Sequence, residues 1–262
     1  MEVKKNILLI FTCIKYNLLK EMEYRFAFIF QIVGMILNNG TFIVQWMILF
    51  TLKSDFEGYV FQDILILWAV AAGSFGLNKM VFMNANNISN YIVTGKLDTY
   101  LVQPKNVLIN VISSRMSTSS IGDIAYGFLV LIVLRVSLKV FLLYLVLIFL
   151  GAIIHAAFNV ITHSLSFWLG RAESIANSLE QAILMPSTYP EGIFKGLVRG
   201  FMFSIIPVGF IVFIPVRLLD AFDLNLFILL VLFTIIVVTL AFVIFNKGLK
   251  KYSSSNLMIV RM

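Results

Sequence analysis

The sequence predicts an all-α, polytopic membrane protein with six transmembrane helices and an amphipathic helix before the first of them. Of the 262 residues, 60% are hydrophobic and only 13% are charged, with a mean hydropathy of +0.97, whereas soluble domains carry about 25% charged residues. An uncharged run extends from Phe26 to Leu52, and a helix of that length exceeds the ~30 Å hydrocarbon core. We therefore expect one integral membrane domain over residues 1–262, without a separate soluble domain.

Residues 1–25 are expected to form an interfacial helix. Apolar side chains recur there at helical spacing, and lysines occupy the other faces. A helix with an apolar stripe and basic flanks prefers the headgroup region of a membrane. The alternative is a basic tail that only orients the first span. The stripe consists of Val3, Ile7, Phe11, Ile14, Leu18 and Met22.

Six apolar runs follow, separated by polar or charged segments. The predicted spans cover about 26–52, 64–83, 117–134, 140–169, 201–216 and 224–246. The fifth is short and is interrupted by Pro207, Gly209 and Pro215. Proline breaks helices, and a broken helix inside a bilayer needs protein or water around its freed backbone groups. This segment is therefore either a re-entrant outer gate, which the breaks favour, or a kinked span.

The distribution of basic residues predicts the orientation. With the N-terminus in the cytosol and six crossings, the inside segments hold fifteen Lys/Arg and seven Asp/Glu, and the outside segments hold four and five. Such an excess of Lys/Arg marks the cytoplasmic side. Both termini and residues 84–116 and 170–200 are then cytoplasmic, and 53–63 is external. The net charge of +7 reflects this topology and gives no indication of nucleic-acid binding.

Polar residues inside the predicted spans are the candidates for intramembrane contacts. Lys79 and Asp123 lie about one turn from the cytoplasmic ends of their helices, where they would either reach the interface separately or pair with each other. His155, Asn159 and His163 share one face of span 4. They would hydrogen-bond to a neighbouring helix, line a pathway, or hold a metal together with further ligands, and the first interpretation is the commonest for polar residues in membranes.

Signatures of catalysis are missing. Gly95-Lys96 resembles the end of a nucleotide-binding P-loop, but Leu97 stands where Ser or Thr would hold magnesium, and no glycine precedes it at the required spacing. The sequence also contains no HExxH or GxSxG motif and no cysteine pair. We therefore expect neither enzymatic activity nor a metal site, and no bound cofactor in this chain.

A short polar segment between spans 2 and 3, which we call the island (residues 94–104), faces the cytosol in this topology. Gly95 permits a sharp turn, and Asp98 can begin or cap a short helix that Pro104 ends. Leu97 and Leu101, four residues apart, would share one apolar face. The island would either dock onto a soluble partner or dip its leucines into lipid. Its candidate contact residues are Gly95, Lys96, Leu97, Asp98, Leu101 and Pro104.

Together these features resemble the membrane subunit of a type-2 ABC exporter. The layout of the whole chain is similar, and the island resembles a Gly-x-Leu-Asp-x-x-Leu-x-x-Pro pattern that a subgroup of bacterial permeases carries after span 2. Gly122-Asp123 and Tyr189-Pro190 are also similar to that subgroup.

The resemblance implies a division of labour. The island would couple to a separate soluble ABC ATPase, which binds ATP and Mg²⁺, and a second permease copy or a similar permease would complete the pathway. The complex would export a small amphiphilic substrate across a bacterial cell membrane. The alternative is a stand-alone secondary transporter or channel-like protein, which needs ionisable groups deep in the bilayer.

Overall fold

The computed structural model describes residues 2–253, which are 81% helical and contain no β-strand. This confirms the predicted all-α class. The helices are α1 (Glu2–Glu21), α2 (Arg25–Leu52), α3 (Phe61–Val81), α4 (Ile88–Val93), α5 (Asp98–Leu101), α6 (Val107–Ser113), α7 (Ser119–Val133), α8 (Leu138–Ser164), α9 (Ser166–Leu169), α10 (Glu173–Leu184), α11 (Gly196–Met202), α12 (Ile214–Asp220) and α13 (Leu224–Leu249). A π-helix, Gly209–Phe213, precedes α12.

Four helical stretches are long and apolar enough to cross a membrane. They are Lys4–Leu52, which combines α1 and α2, and Phe61–Val81, Leu138–Leu169 and Leu224–Leu249. The helix α7 is equally apolar but shorter. The helices α2, α3, α7 and α13 and the stretch Leu138–Leu169 agree with five of the predicted spans to within a few residues. The total of six crossings stays a prediction.

The helix α3 lies at the centre of the bundle and packs against α7, α8 and α2, while α13 packs against α8. Six of the eight residues from Ala69 to Gly76 are Ala, Gly or Ser, and small residues let helix backbones approach closely. Ala69 is fully buried, and a Cβ added at Gly76 would lie 2.9 Å from the backbone oxygen of Ser120. The central position of α3 therefore depends on glycine and alanine at its helix contacts.

The bundle has two ends, which we name by their connections. The loop end carries residues 53–60 between α2 and α3, and the island end carries residues 94–104.

The prediction that residues 170–200 form one segment at the island end is wrong. The chain leaves that end at Ala172, whose backbone N–H donates to Ser166, and α10 then packs along α8. It reaches the loop end at Tyr189, whose ring centroid lies 6.1 Å from that of Trp46. There Lys195 forms an ion pair with Glu57 at 3.3 Å.

The predicted fifth span, 201–216, is also wrong, because the chain enters and leaves at the same end. It begins beside Glu191, to which Arg199 is paired at 2.9 Å. At its deepest it reaches the middle of α8, where the Ile211 carbonyl oxygen lies 3.0 Å from a Cβ placed on Gly151. It then returns to the loop end, where Arg217 also binds Glu191. Of the two sequence interpretations, the path is that of a re-entrant segment.

The three residues that were predicted to interrupt this segment, Pro207, Gly209 and Pro215, do not all interrupt a helix. Pro207 and Gly209 flank the point where α11 has ended and the π-helix begins. Pro215 lies inside a continuous helical stretch, in the first turn of α12, so it does not interrupt the helix. A proline has no N–H to donate to the preceding turn. The π-helix immediately before it widens the turn in which that hydrogen bond would have formed.

Candidate functional site

The island is held against the protein through its one buried residue, Leu97, while six of its eleven residues are exposed. Gly95 has φ +72°, the left-handed region that glycine enters without strain, and α5 begins at Asp98, as the sequence predicts. The Tyr100 hydroxyl lies 3.0 Å from the Ser114 hydroxyl, and burial raises the pKa of Tyr100. The island is therefore held in one conformation by turn geometry and by α6.

The expectation that Leu97 and Leu101 share an apolar contact face is wrong. Leu97 is fully buried and belongs to a core cluster that includes Ile92 and Val111. It therefore holds the island against the rest of the protein. Leu101 is 38% exposed and its neighbour Val102 is 83% exposed. The Leu101 N–H donates to the Leu97 carbonyl oxygen at 3.3 Å, so the two residues lie one helical turn apart, but only Leu101 is exposed. Val102 is the apolar residue that the sequence reasoning missed, although its position beside Leu101 and before Pro104 could have indicated it.

The first helix and the island border one groove of about 680 Å³. Asn17 of α1 donates to the Ser113 carbonyl oxygen at 3.1 Å, and Thr118 donates to Glu21 at 2.8 Å. These bonds fix α1 against the chain segment that follows the island. The groove is lined by Lys5, Asn6, Leu8, Leu9, Thr12, Gln103, Pro104, Lys105 and Asn106.

The segment after α13 also reaches the island. Burial raises the pKa of Tyr252, and the negative charge of Asp98 raises it further. The ring of Tyr252 lies edge-on to that of Phe167, 6.2 Å away. Of the predicted contact residues, Lys96 and Pro104 are exposed and Asp98 is half-buried. The island is thus bordered by α1, α6 and the segment after α13, and its remaining side is exposed.

A second group of polar residues lies inside the bundle and is centred on Glu180 of α10. Its carboxylate accepts a hydrogen bond from Asn86 at 2.7 Å, and Asn86 in turn accepts one from Asn159 at 2.7 Å. The Nε2 atom of His155 lies 3.9 Å from the other Glu180 carboxylate oxygen. The structure thus brings Asn159 and His155 together with two residues, Glu180 and Asn86, that the sequence analysis assigned to cytoplasmic segments.

His163 belongs to a neighbouring hydrogen-bonded group. Its Nδ1 atom lies 3.2 Å from the Ser89 hydroxyl, which also lies 2.8 Å from the Ser166 hydroxyl. Both histidines are fully buried. Asn159 and His163 thus hydrogen-bond to residues outside α8, whereas neither ring nitrogen of His155 forms a hydrogen bond.

Asp123 is paired with an asparagine and forms no ion pair with Lys79. Asn39 of α2 donates to Asp123 at 2.8 Å and accepts from the indole N–H of Trp68 at 3.2 Å. Among the residues described, no ion pair joins Lys79 and Asp123 within 4 Å, so the mutual pair considered above is not formed. Asn39 competes successfully because it lies directly opposite Asp123 on α2, whose contact with α7 is extensive.

At the loop end, Glu191 is buried and binds two arginines. Arg217 contacts its carboxylate at 2.5 Å and Arg199 at 2.9 Å. Burial, and then the charge of Glu191, raises the pKa of the adjacent Tyr59. This cluster fixes the two ends of the re-entrant segment to each other and to the loop. In the part of the chain that the structure describes, no group of three or more His, Cys, Asp or Glu side chains could hold a metal ion.

The helices, their apolar spans and their buried polar contacts define an integral membrane protein with a folded segment at one end. A family model described as "ABC-2 family transporter protein" matches residues 35–256, which is most of the chain. The chain therefore belongs to the ABC-2 transporter family and is a membrane-embedded transport subunit. No curated protein matches it, and no solved structure matches it.

Proposed function

We propose that this chain is the transmembrane subunit of an ATP-driven exporter and that the island couples it to a separate soluble ATPase. The observation that carries the proposal is the exposed apolar pair Leu101 and Val102 on a segment that is otherwise anchored. Two neighbouring apolar side chains on a rigid loop suit burial in a protein groove. The groove between α1 and residues 103–106 extends this surface.

In this proposal the island end faces the cytosol of a bacterial cell, and both termini lie on that side. The helix α1 lies along the membrane surface, and a second permease, identical or similar, completes the pathway. ATP and Mg²⁺ are bound by the ATPase, whose movement is transmitted through the island. The re-entrant segment 196–220 acts as the outer gate, and the substrate is a small amphiphile.

The test is a double substitution on the exposed part of the island. Leu101→Ser with Val102→Ser should lower the amount of ATPase that co-purifies with the tagged chain about tenfold or more. Burying one large aliphatic side chain contributes about 1.5–3 kcal/mol, and a factor of ten is ~1.4 kcal/mol. Because neither Leu101 nor Val102 is buried, the amount of the variant chain in the membrane should equal that of the wild type.

The matched control is Val60→Ser at the loop end, which alters a residue that is 47% exposed and should leave co-purification unchanged. Equal recovery of ATPase with the double variant would remove the island from the interface. An intact wild-type assembly that contains no ATPase would favour the stand-alone transporter instead.

A further inference from the structure

An apolar cavity of about 200 Å³ lies between α1, α6, α8 and α13. All of the residues that line it are apolar, and half of them, including Ile10, Ile109 and Phe242, are partly exposed. The cavity therefore opens at the outer surface of the bundle, next to α8 and α13, which are long and apolar enough to cross a membrane. Cavities lined only by apolar side chains stay free of water, so hydrocarbon is the filling that this lining favours.

This cavity adjoins the groove beside the island. It lies in the half of the bundle nearer the island, because Val160, in the last two turns of α8, lines it. Leu9 and Ile10 are consecutive in α1, and the first lines the groove while the second lines the cavity. In the same way Asn106 lines the groove, and Ile109, one turn later, lines the cavity. The two spaces thus follow one another along the contact between α1 and α6.

The groove carries positive charge on both of its sides. Lys5 of α1 and Lys105, the residue after the island, both line it and are exposed. No acidic residue belongs to its lining, and among the residues described neither lysine forms an ion pair within 4 Å. Basic pockets beside membrane helices attract the headgroups of anionic lipids. A charged groove next to an apolar cavity therefore matches a molecule with an anionic head and a hydrocarbon tail.

We propose that the groove and the cavity together bind one anionic phospholipid. Its phosphate lies between Lys5 and Lys105, and part of one acyl chain lies against Ile10, Ile109 and Phe242. Phosphatidylethanolamine carries the same phosphate, but its ammonium group would be repelled by the two lysines. Inorganic phosphate shares the chemistry of the headgroup and leaves the cavity unfilled. The lipid is therefore the occupant that satisfies both spaces.

This site goes beyond the coupling role of the island and does not depend on it. The exposed pair Leu101 and Val102 does not line the groove, so a bound lipid leaves both side chains free for a partner. Because α1 borders both spaces, the lipid would hold this helix against the bundle. Loss of lipid binding would leave the ATPase interface untouched, and loss of the interface would leave the lipid site untouched.

The test measures phospholipid binding to the full chain by native mass spectrometry, in neutral detergent with whatever subunits co-purify. The wild type should bind dioleoyl phosphatidylglycerol about tenfold or more tightly than dioleoyl phosphatidylethanolamine. Lys5→Gln with Lys105→Gln removes both charges and should abolish this preference. The matched control, Lys15→Gln with Lys20→Gln, removes two charges from exposed lysines of α1 that do not line the groove, and it should keep the preference.

Competition distinguishes the lipid from a free phosphate. Inorganic phosphate or glycerol phosphate in large excess should leave phosphatidylglycerol bound, because neither fills the cavity. Displacement of the lipid by either one would assign the groove to a small anion and overturn the lipid site. Equal affinity of the wild type for the two lipids, or an unchanged preference in the variant at Lys5 and Lys105, would overturn it as well.

A measurement on the wild type covers the case in which the double variant does not fold. Phosphatidylglycerol with a photoactivatable diazirine in one acyl chain should modify Ile109 and Phe242, as located by mass spectrometry. Ile236 of α13 is 56% exposed and lies outside the cavity, so it should be modified less. Unlabelled phosphatidylglycerol should suppress the modification in the cavity, and phosphatidylethanolamine should not. Equal modification of Ile236 and Phe242 would contradict the proposal.

Discussion

At the scale of single residues, Tyr144 joins three helices at the centre of the bundle. It is fully buried, and its hydroxyl donates to the Ala69 carbonyl oxygen at 2.9 Å. Gly73 and Gly127 provide the space for the hydroxyl group, because a Cβ at either position would overlap it. The tyrosine and the two glycines therefore form one packing unit that links α3, α7 and α8.

This unit predicts non-additive effects of substitution. Tyr144→Phe removes one hydrogen bond and should lower the free energy of unfolding by about 1 kcal/mol. Gly127→Ala should cost about 1–3 kcal/mol, because the new methyl group overlaps the hydroxyl. In the double variant the hydroxyl is absent, so the cost should be less than the sum of the two single costs, as measured by denaturant titration in detergent. Strictly additive costs would contradict the overlap.

Cys13, the only cysteine, provides a pH-dependent prediction. Burial raises the pKa of its thiol, and the positive charge of Lys105 partly offsets this. Since the thiolate is the reactive form, maleimide labelling near pH 7 should be slower than that of a free thiol. Its rate should still rise above pH 9, and Lys105→Ala should slow labelling further wherever the thiol is mostly protonated.

The control for this prediction is a cysteine on the same helix. Tyr16 is 66% exposed, so Tyr16→Cys in a Cys13→Ser background should react at the rate of a free thiol. A labelling rate of Cys13 that levels off below pH 8, or faster labelling of Lys105→Ala, would contradict the assignment.

At the scale of elements, the contact of α2 with α7 and α3 centres on Asn39. Asn39 is the only partner that the structure gives the Asp123 carboxylate among the described hydrogen bonds and ion pairs, and it also binds Trp68. On the α7 side the helices meet closely, since a Cβ at Gly122 would lie 2.8 Å from that of Met35. The close approach at Gly122 and the hydrogen bond of Asp123 thus align α7 with α2.

A double-mutant cycle should separate this pair from the Lys79 alternative. Asn39→Ala and Asp123→Ala should show a coupling energy of about 0.6–1.7 kcal/mol, the range for hydrogen bonds between membrane helices. Lys79→Ala with Asp123→Ala should show a smaller one, because no ion pair joins them. Unfolding free energies in mixed micelles measure both, and a larger Lys79 coupling would reverse the interpretation.

At the scale of the whole molecule, the path of residues 170–223 determines which surfaces share one side of the membrane. Contacts of Glu191 with Arg199 and Arg217, and of Lys195 with Glu57, place residues 189–199 at the loop end. The helix α10 then takes the position along the bundle that the sequence reasoning gave to residues 201–216. The number of membrane crossings stays a prediction.

Single cysteines in a Cys13→Ser background should report this arrangement. Gly58→Cys and Lys195→Cys should both react with a membrane-impermeant maleimide added to intact cells, because both positions are exposed at the loop end. Val102→Cys should react only after the membrane is opened. Labelling of Lys195→Cys together with Val102→Cys, and not with Gly58→Cys, would restore the original cytoplasmic assignment of residues 170–200.

The sequence by itself determined the helical class, the membrane environment and the extents of α2, α3, α8 and α13. These follow from the length of an apolar run, which is a local property that the bilayer thickness fixes. The turn at Gly95 and the start of α5 at Asp98 likewise follow from the residues at those positions. The family resemblance, carried by the layout and the island pattern, agrees with the match over residues 35–256.

Only the tertiary structure decided where α10 lies, because its twelve residues carry a polar face and two glutamates and therefore resemble a cytoplasmic helix. It also decided which polar groups meet. Asn86 and Glu180 are 94 residues apart, and no spacing rule relates residues on different helices. Leu97 and Leu101 have the same hydropathy, and only the packing of the island made one an anchor and left the other exposed.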